Sequence, residues 1–223
     1  MLTRGQTGAR AAKTAKEPTG VDRTPARLVS ARDRLLVAAD ELFYAEGVHV
    51  VGIDRIVERA GVAKASLYSI FGSKDELVRA YLENHFHQRQ RGIGNILAAH
   101  DTPRERLLGI FAELEAALEG SEFRGCRFIS AGAEARSGDA SEGVADEYRA
   151  WLRSLFIELA EAAGAQDARA VGRQLALLYD GAAVAARMDQ DRRGAATAVH
   201  AAAAALLDAA IPPKRTNRRA KTR

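Results

Sequence analysis

Residues 30–91 read SARDRLLVAADELFYAEGVHVVGIDRIVERAGVAKASLYSIFGSKDELVRAYLENHFHQRQR, and the centre of this run, GIDRIVERAGVAKASLYSIFGSKDEL, decides the fold. It reads as two short helices joined at a tight corner, followed at once by a longer capped helix. Gly61 stands at the corner, where the chain needs positive φ and a residue without Cβ turns at little cost; Val62 then re-enters the core. The segment from Ala63 to Ile70 is predicted to be a helix short enough for its first residues to reach base edges in a major groove. Upstream, Ser30 with Asp33 opens the first helix and Gly47 closes it. Leu35, Leu36, Ala39, Leu42 and Phe43 recur at spacings of three, four and seven, giving one apolar stripe on which the next two helices pack. Ser73 with Glu76 is predicted to form a capping box for the fourth helix and to fix Lys74 in its first turn. A cation there opposes the helix dipole, a cost that a nearby phosphate offsets.

Periodicity sorts the side chains of the reading helix. Val62, Leu67 and Phe71 form the inward set, and Lys64, Ala65, Ser66, Tyr68 and Ser69 are predicted to point outward. Lys64 and Ser66 are donors for base acceptors or phosphate oxygens, and the Ala65 methyl suits a thymine methyl. Base contacts are therefore expected from Lys64, Ala65, Ser66 and Ser69.

Through Ala38, Ala39, Leu42, Phe43, Gly47, Ile53, Ile56, Ala60, Gly61, Val62, Leu67, Tyr68, Phe71, Ser73, Lys74 and Leu77, the chain resembles the TetR family of one-component transcriptional regulators. AGV followed by LYxxF and SK at fixed spacing is a specific signature, and it covers about 60 of the 223 residues. The resemblance implies an all-α chain with an N-terminal helix-turn-helix and a C-terminal helical domain for ligand binding and dimerisation. It also implies double-stranded operator DNA as partner, a small-molecule effector of unknown identity, and phosphate contacts from Gly52, Arg55, Tyr68 and Lys74. The chain departs from the family pattern at three places. Val51 and Gly52 stand where a Thr or Ser caps the second helix, Ala63 replaces the usual Ser cap of the third, and Ile70 replaces a His or Tyr. A lost cap costs about 1 kcal/mol and leaves the reading helix prone to fraying.

Four segments follow from charge and composition. Residues 1–29 hold 6 basic and 2 acidic side chains among Gly, Ala, Thr and Pro, and are expected to be a disordered basic arm that tracks phosphates. Residues 30–91, with 9 of each sign, form the DNA-binding domain, its motif at 52–71 and its fourth helix serving as connector. Residues 92–213, with 12 basic and 18 acidic, form the effector and dimerisation domain. Residues 214–223, with 6 basic and none acidic, follow Pro212 and Pro213 as a disordered tail.

Past residue 91 the pattern is helical throughout. The fourth helix is expected from Lys74 to about Ala99, with a bend or break at Gly92 and Gly94. Thr102, Pro103 and Glu105 make a capping box for a helix ending at Gly120. Further helices are expected at 125–136, 143–163, 168–189 and 194–211, with SGDASEG, 137–143, as a loop. The last two, rich in small residues, are the expected homodimer surface. An apolar effector pocket is expected from Phe111, Leu114, Phe128, Tyr148, Trp151, Phe156 and Tyr179. Cys126, in RGCRF near a helix start and between Arg124 and Arg127, is a candidate reactive thiol with a lowered pKa; a buried, inert cysteine is the competing reading.

Other classes lack residues. His85 and His87 face different ways, and His49, His100 and His200 have no ligand-spaced companions, so neither a metal nor a cofactor is expected. There is no nucleophile elbow, phosphate loop or CxxC pair, so no enzyme is expected. No run of 18 apolar residues spans a bilayer and no apolar signal segment opens the chain, which places it in a prokaryotic cytoplasm, on the nucleoid. A single cysteine fits that reducing compartment. The reading is a homodimeric repressor on a near-palindromic operator, released by a ligand. Two alternatives stay open: a DNA-binding regulator or activator without a ligand, and an all-α small-molecule carrier whose reading head has degenerated.

Overall fold

A computed structural model describes residues 30–135, 139–189 and 191–212. The basic arm, 1–29, and the basic tail, 214–223, lie outside the described residues. Within them the chain is all-α, with nine helices and no strand.

The head is built from α1 (Ala31–Glu46), α2 (Ile53–Ala60) and α3 (Lys64–Phe71). Ser30 accepts from the Asp33 backbone N–H at the start of α1, and Gly47, at φ 96°, ends it. Leu35, Ala39 and Phe43 are buried along one stripe of α1, while Leu36 and Leu42 are half-buried at its edge. Gly61 turns α2 into α3 in the left-handed region, φ 62° and ψ 43°. Its N–H bonds back to Glu58 O, and that of Val62 to Val57 O. An added Cβ at Gly61 would meet nothing nearer than Arg34 at 4.0 Å, so the corner demands glycine for its φ and not for space. Leu67, with no exposed surface, anchors α3 to the stripe; burying such a side chain contributes about 1.5–3 kcal/mol. Neither Gly52 nor Ala63 makes a side-chain cap, yet both short helices form, held by that packing.

The connector α4 (Lys74–Ala99) is one uninterrupted helix of 26 residues. The break expected at Gly92 and Gly94 is absent: neither glycine adopts positive φ. Packing along its length holds the helix through them, with Ile93 between them almost fully buried. The capping box expected at its start is half formed. Ser73 accepts from the Glu76 N–H at 3.1 Å, but the Glu76 carboxylate turns to Arg79 instead of reaching back. The boundary placed at residue 91 falls inside α4, which packs on the head at Leu77 and Tyr81 and on the second domain at Phe86 and Ile93.

The second domain comprises α5 (Pro103–Glu119), α6 (Arg127–Glu134), α7 (Ala140–Ala162), α8 (Ala168–Met188) and α9 (Arg192–Ala210). Thr102 and Glu105 make the full reciprocal capping box, with Pro103 in the first turn. The segment 137–143 is not wholly a loop: α7 begins at Ala140, so Ser141, Glu142 and Gly143 lie in its first turns. Phe111 and Phe156 stack 5.7 Å apart at the centre of the core, both without exposed surface. α8 crosses α7 so closely that a Cβ on Gly172 would lie 2.7 Å from the Ile157 backbone. Some of the small residues of α8 therefore serve packing within one chain.

Candidate nucleic-acid interface and cavity

On α3 the inward and outward sets divide nearly as periodicity requires. Leu67 is buried, Val62 and Phe71 are half-buried, and Ala65, Tyr68 and Ser69 are exposed, Tyr68 at 45%. Ser66 departs from the expectation: it is half-buried, because it follows half-buried Val62 by four residues and so flanks the inward face, while Ser69 and Tyr68 are exposed. Lys64 points outward, but its ammonium pairs with Asp54 of α2 at 2.7 Å. That partner holds the Lys64 pKa above its ordinary value.

The expected phosphate set is similarly occupied. Arg55 donates both terminal nitrogens to Glu46, at 2.5 and 2.8 Å. Arg59, which was not in that set, likewise pairs with Glu41 at 2.6 Å. Lys74 is half-buried and donates to His49 O at 3.5 Å, so its first-turn charge is met partly by a carbonyl. Gly52, at the N-terminus of α2, is exposed and leaves that end of the helix open to an anion. These ion pairs lie at the surface, where such a pair contributes about 0–1 kcal/mol and yields readily to a phosphate.

A cavity of about 520 Å3 lies between the head and the second domain, within the ordinary range for small-molecule sites. Leu114, Phe128, Tyr148 and Tyr179 line it as expected. Phe111, Trp151 and Phe156 do not: the two phenylalanines make the core stack, and Trp151 packs edge-on to Phe86. Aromatic content alone cannot separate core from lining. The polar lining went unnoticed in the sequence. His85, Gln88, Arg89 and Gly92 face the cavity from α4, at the spacing of three, four and seven that marks one helix face. Gly92, read from sequence as a bend, opens the wall, since a Cβ there would meet nothing within 4 Å.

Arg89 is the polar centre of this wall. It donates to Glu113 and to the Tyr179 hydroxyl, and its Nε is buried without a hydrogen-bond partner, a donor left for an acceptor on a ligand. Burial opposes its charge, but Tyr179 and Glu113 hold the guanidinium protonated. Burial also raises Tyr148 well above its ordinary value and pushes Tyr179 up to about 12, so both are neutral donors near pH 7. Cys126 is the N-cap of α6 and lines the same cavity, and of the two sequence readings the buried thiol fits and the lowered pKa does not. Burial raises the thiol pKa against the pull of the Ile129 and Phe128 N–H groups, leaving it protonated.

The cavity is also wired to the head. Tyr44 of α1 is part of its wall. Arg127, on α6, stacks on the Tyr44 ring at 3.6 Å and donates to Asp40 of α1 at 3.1 Å; His85 reaches the same Asp40 oxygen at 2.7 Å. The Arg124 N–H donates to the Tyr44 hydroxyl at 2.8 Å, and the Glu134 carboxylate accepts from the His49 N–H at 3.0 Å. No spacing in the sequence marks these contacts, which join residues 45 or more apart.

Among the described residues no group of three or more His, Cys, Asp and Glu side chains is placed to hold a metal, and no helix is long and apolar enough to cross a membrane.

Comparison with known proteins agrees with this geometry. The family model of bacterial regulatory proteins of the TetR family matches residues 35–81. The HTH-type transcriptional activator FasR of Mycolicibacterium smegmatis is 40% identical over 94 residues, 41% of this chain and 43% of that protein. The HTH-type transcriptional repressor KstR2 of the same organism is 31% identical over 96 residues, 43% of this chain and 47% of that protein. The chain thus matches less than half the length of these two relatives. Over most of its length the fold is similar to that of SCO4454, a TetR-family transcriptional regulator from Streptomyces coelicolor. The TM-score is 0.78 and the identity 30%, covering 82% of this chain and 96% of that one. The helix-turn-helix head, the helical second domain and the likeness to SCO4454 together establish that the chain belongs to the TetR family of transcriptional regulators.

Proposed function

We propose that this regulator is a ligand-released repressor that acts as a homodimer on a near-palindromic operator. The observation that carries this reading is the shared wall of the cavity. Tyr44 belongs to both head and cavity, and His85 and Arg127 hold Asp40 of α1 from the cavity side. A ligand that fills the cavity therefore meets the groups that fix the head, and its differential affinity for two head positions is what release requires.

Dimerisation is supported by the outer faces of the last two helices. On α8, Leu177, Gly181, Val184 and Met188 recur at four, three and four and are exposed, Leu177 at 70% and Met188 at 73%. On α9, Gly194, Ala198, Ala201 and Ala205 repeat the same spacing in the open. Two such seams pair as an isologous four-helix bundle, which presents two copies of α3 to successive turns of a duplex. In that complex Lys64, Ala65, Ser66 and Ser69 take the base edges, and Gly52, Arg55, Tyr68 and Lys74 take the phosphates. The surface partners Asp54 and Glu46 give way.

The relation to FasR, by its name an activator, supports positive control as a second reading. Both readings are tested by titrating the purified chain onto labelled DNA from upstream of its own gene and placing that site relative to the promoter. A symmetric footprint overlapping the promoter, bound by two chains, is the expected result. A footprint upstream of the promoter favours activation, and no preference over random duplex at low salt overturns the proposal.

A further inference from the structure

His85 and Arg127 line the cavity, yet the carboxylate they hold lies on α1, outside it. The two donors converge on a single oxygen of Asp40, at 2.7 and 3.1 Å. Burial works against the Asp40 charge, but the His85 hydrogen bond and the Arg127 charge outweigh it and hold the carboxyl below its ordinary pKa. The junction is thus an anion site already occupied, and its occupant is tethered to the DNA-reading head. An anion arriving within the cavity meets the same donors from the other side and offers each its own oxygen, which one Asp40 oxygen shared between two does not.

We infer that the cavity takes a small organic carboxylate with an apolar body, whose acid group replaces Asp40 on Arg127 and His85. The apolar body is received by Leu114, Phe128 and Tyr148. The other cation of the wall, Arg89, is a poorer candidate for the switch. Its carboxylate, Glu113, belongs to the second domain, so exchanging it would leave the head untouched. The assignment rests on the ligand-released reading above but makes a separate claim about chemistry.

The test uses the full chain with two matched pairs, octanoate against octanamide and 4-phenylbutyrate against 4-phenylbutyramide. Binding is read from the single tryptophan, Trp151, which packs against Phe86 beside the cavity residue Tyr148. At least one acid is expected to bind ten-fold or more tightly than its amide. Asp40→Asn is expected to tighten acid binding at least five-fold and leave amide binding unchanged, because the competitor is gone. Arg127→Gln, which spares Asp40 in case the first variant folds poorly, is expected to abolish the preference for acid. The inference is overturned if neither acid binds at millimolar concentration, if amides bind as well as acids, or if Asp40→Asn leaves acid affinity the same or weaker. Loss of the acid preference in Arg89→Gln but not in Arg127→Gln overturns it as well. Operator affinity, measured in the same samples, separates the two claims. Acid-selective binding that leaves DNA affinity unchanged keeps the carboxylate site and removes ligand release; DNA release by a neutral ligand with no acid binding does the reverse.

Discussion

The head and the cavity wall both pair carboxylates with basic side chains, guanidinium and ammonium on the head, guanidinium and imidazole in the wall, in opposite settings. On the head, Lys64 with Asp54 and Arg55 with Glu46 lie in water, with side chains from 36% to 80% exposed. In the wall, His85 and Arg89 are only 15% and 19% exposed, and each pairs across helices distant in sequence. Exposed pairs exchange partners cheaply, which suits a surface that must trade its own carboxylates for phosphates. Half-buried pairs resist exchange unless an equivalent group replaces the one lost, which suits a junction that must hold until a particular ligand arrives.

Breaking the core behind the wall should have the largest effect. Phe156→Ala removes half of the central aromatic stack and is expected to cost about 3–5 kcal/mol, measured by urea unfolding. A loss under 1 kcal/mol would mean that Phe156 borders empty space and belongs to the cavity after all. Next, Glu113→Gln weakens the partner of Arg89 and should cost about 1–2 kcal/mol in the same assay, the Glu113 side chain being 42% exposed. Gly61→Ala forces a Cβ into the left-handed corner and should cost about 1–2 kcal/mol, with weaker DNA binding but an undisturbed ligand response. At the small end, Asp54→Asn should leave stability almost unchanged, its pair with Lys64 lying in water. It should nonetheless tighten DNA binding several-fold in a fluorescence-anisotropy titration, because Lys64 is released and one repelling charge is removed. Unchanged or weaker DNA binding in Asp54→Asn would show that the pair does not compete with phosphate.

The same contrast explains what could be read from sequence. The head's features are local. A cap at Ser30, a positive φ at Gly61 and a buried Leu67 three residues after Lys64 each follow from neighbours within one or two turns, and the structure has them. Local reasoning erred where another contact prevailed over the expected one. Gly92 does not break α4 because packing carries the helix past it, and Glu76 leaves the Ser73 cap for its helix neighbour Arg79. The cavity is not local at all. It draws on α1, α4, α5, α6, α7 and α8, so of the seven aromatic and aliphatic residues expected there only Leu114, Phe128, Tyr148 and Tyr179 line it, and no local pattern points to Arg89, His85 and Arg127. Cys126 is divided in the same way: its flanking arginines are local and favour a lowered pKa, while the surroundings that bury the thiol raise it, in line with the buried, inert reading.

The account stands on α3 as the element that reads sequence, and one titration addresses that directly. Wild-type, Lys64→Ala and Lys74→Ala proteins are each titrated onto the footprinted operator and onto the same DNA with its half-site bases permuted. Lys74→Ala should lose affinity equally for both duplexes, whereas Lys64→Ala should lose more on the operator and so narrow the difference between them. Equal, sequence-blind losses from both variants would contradict the assignment of base reading to the outer face of α3.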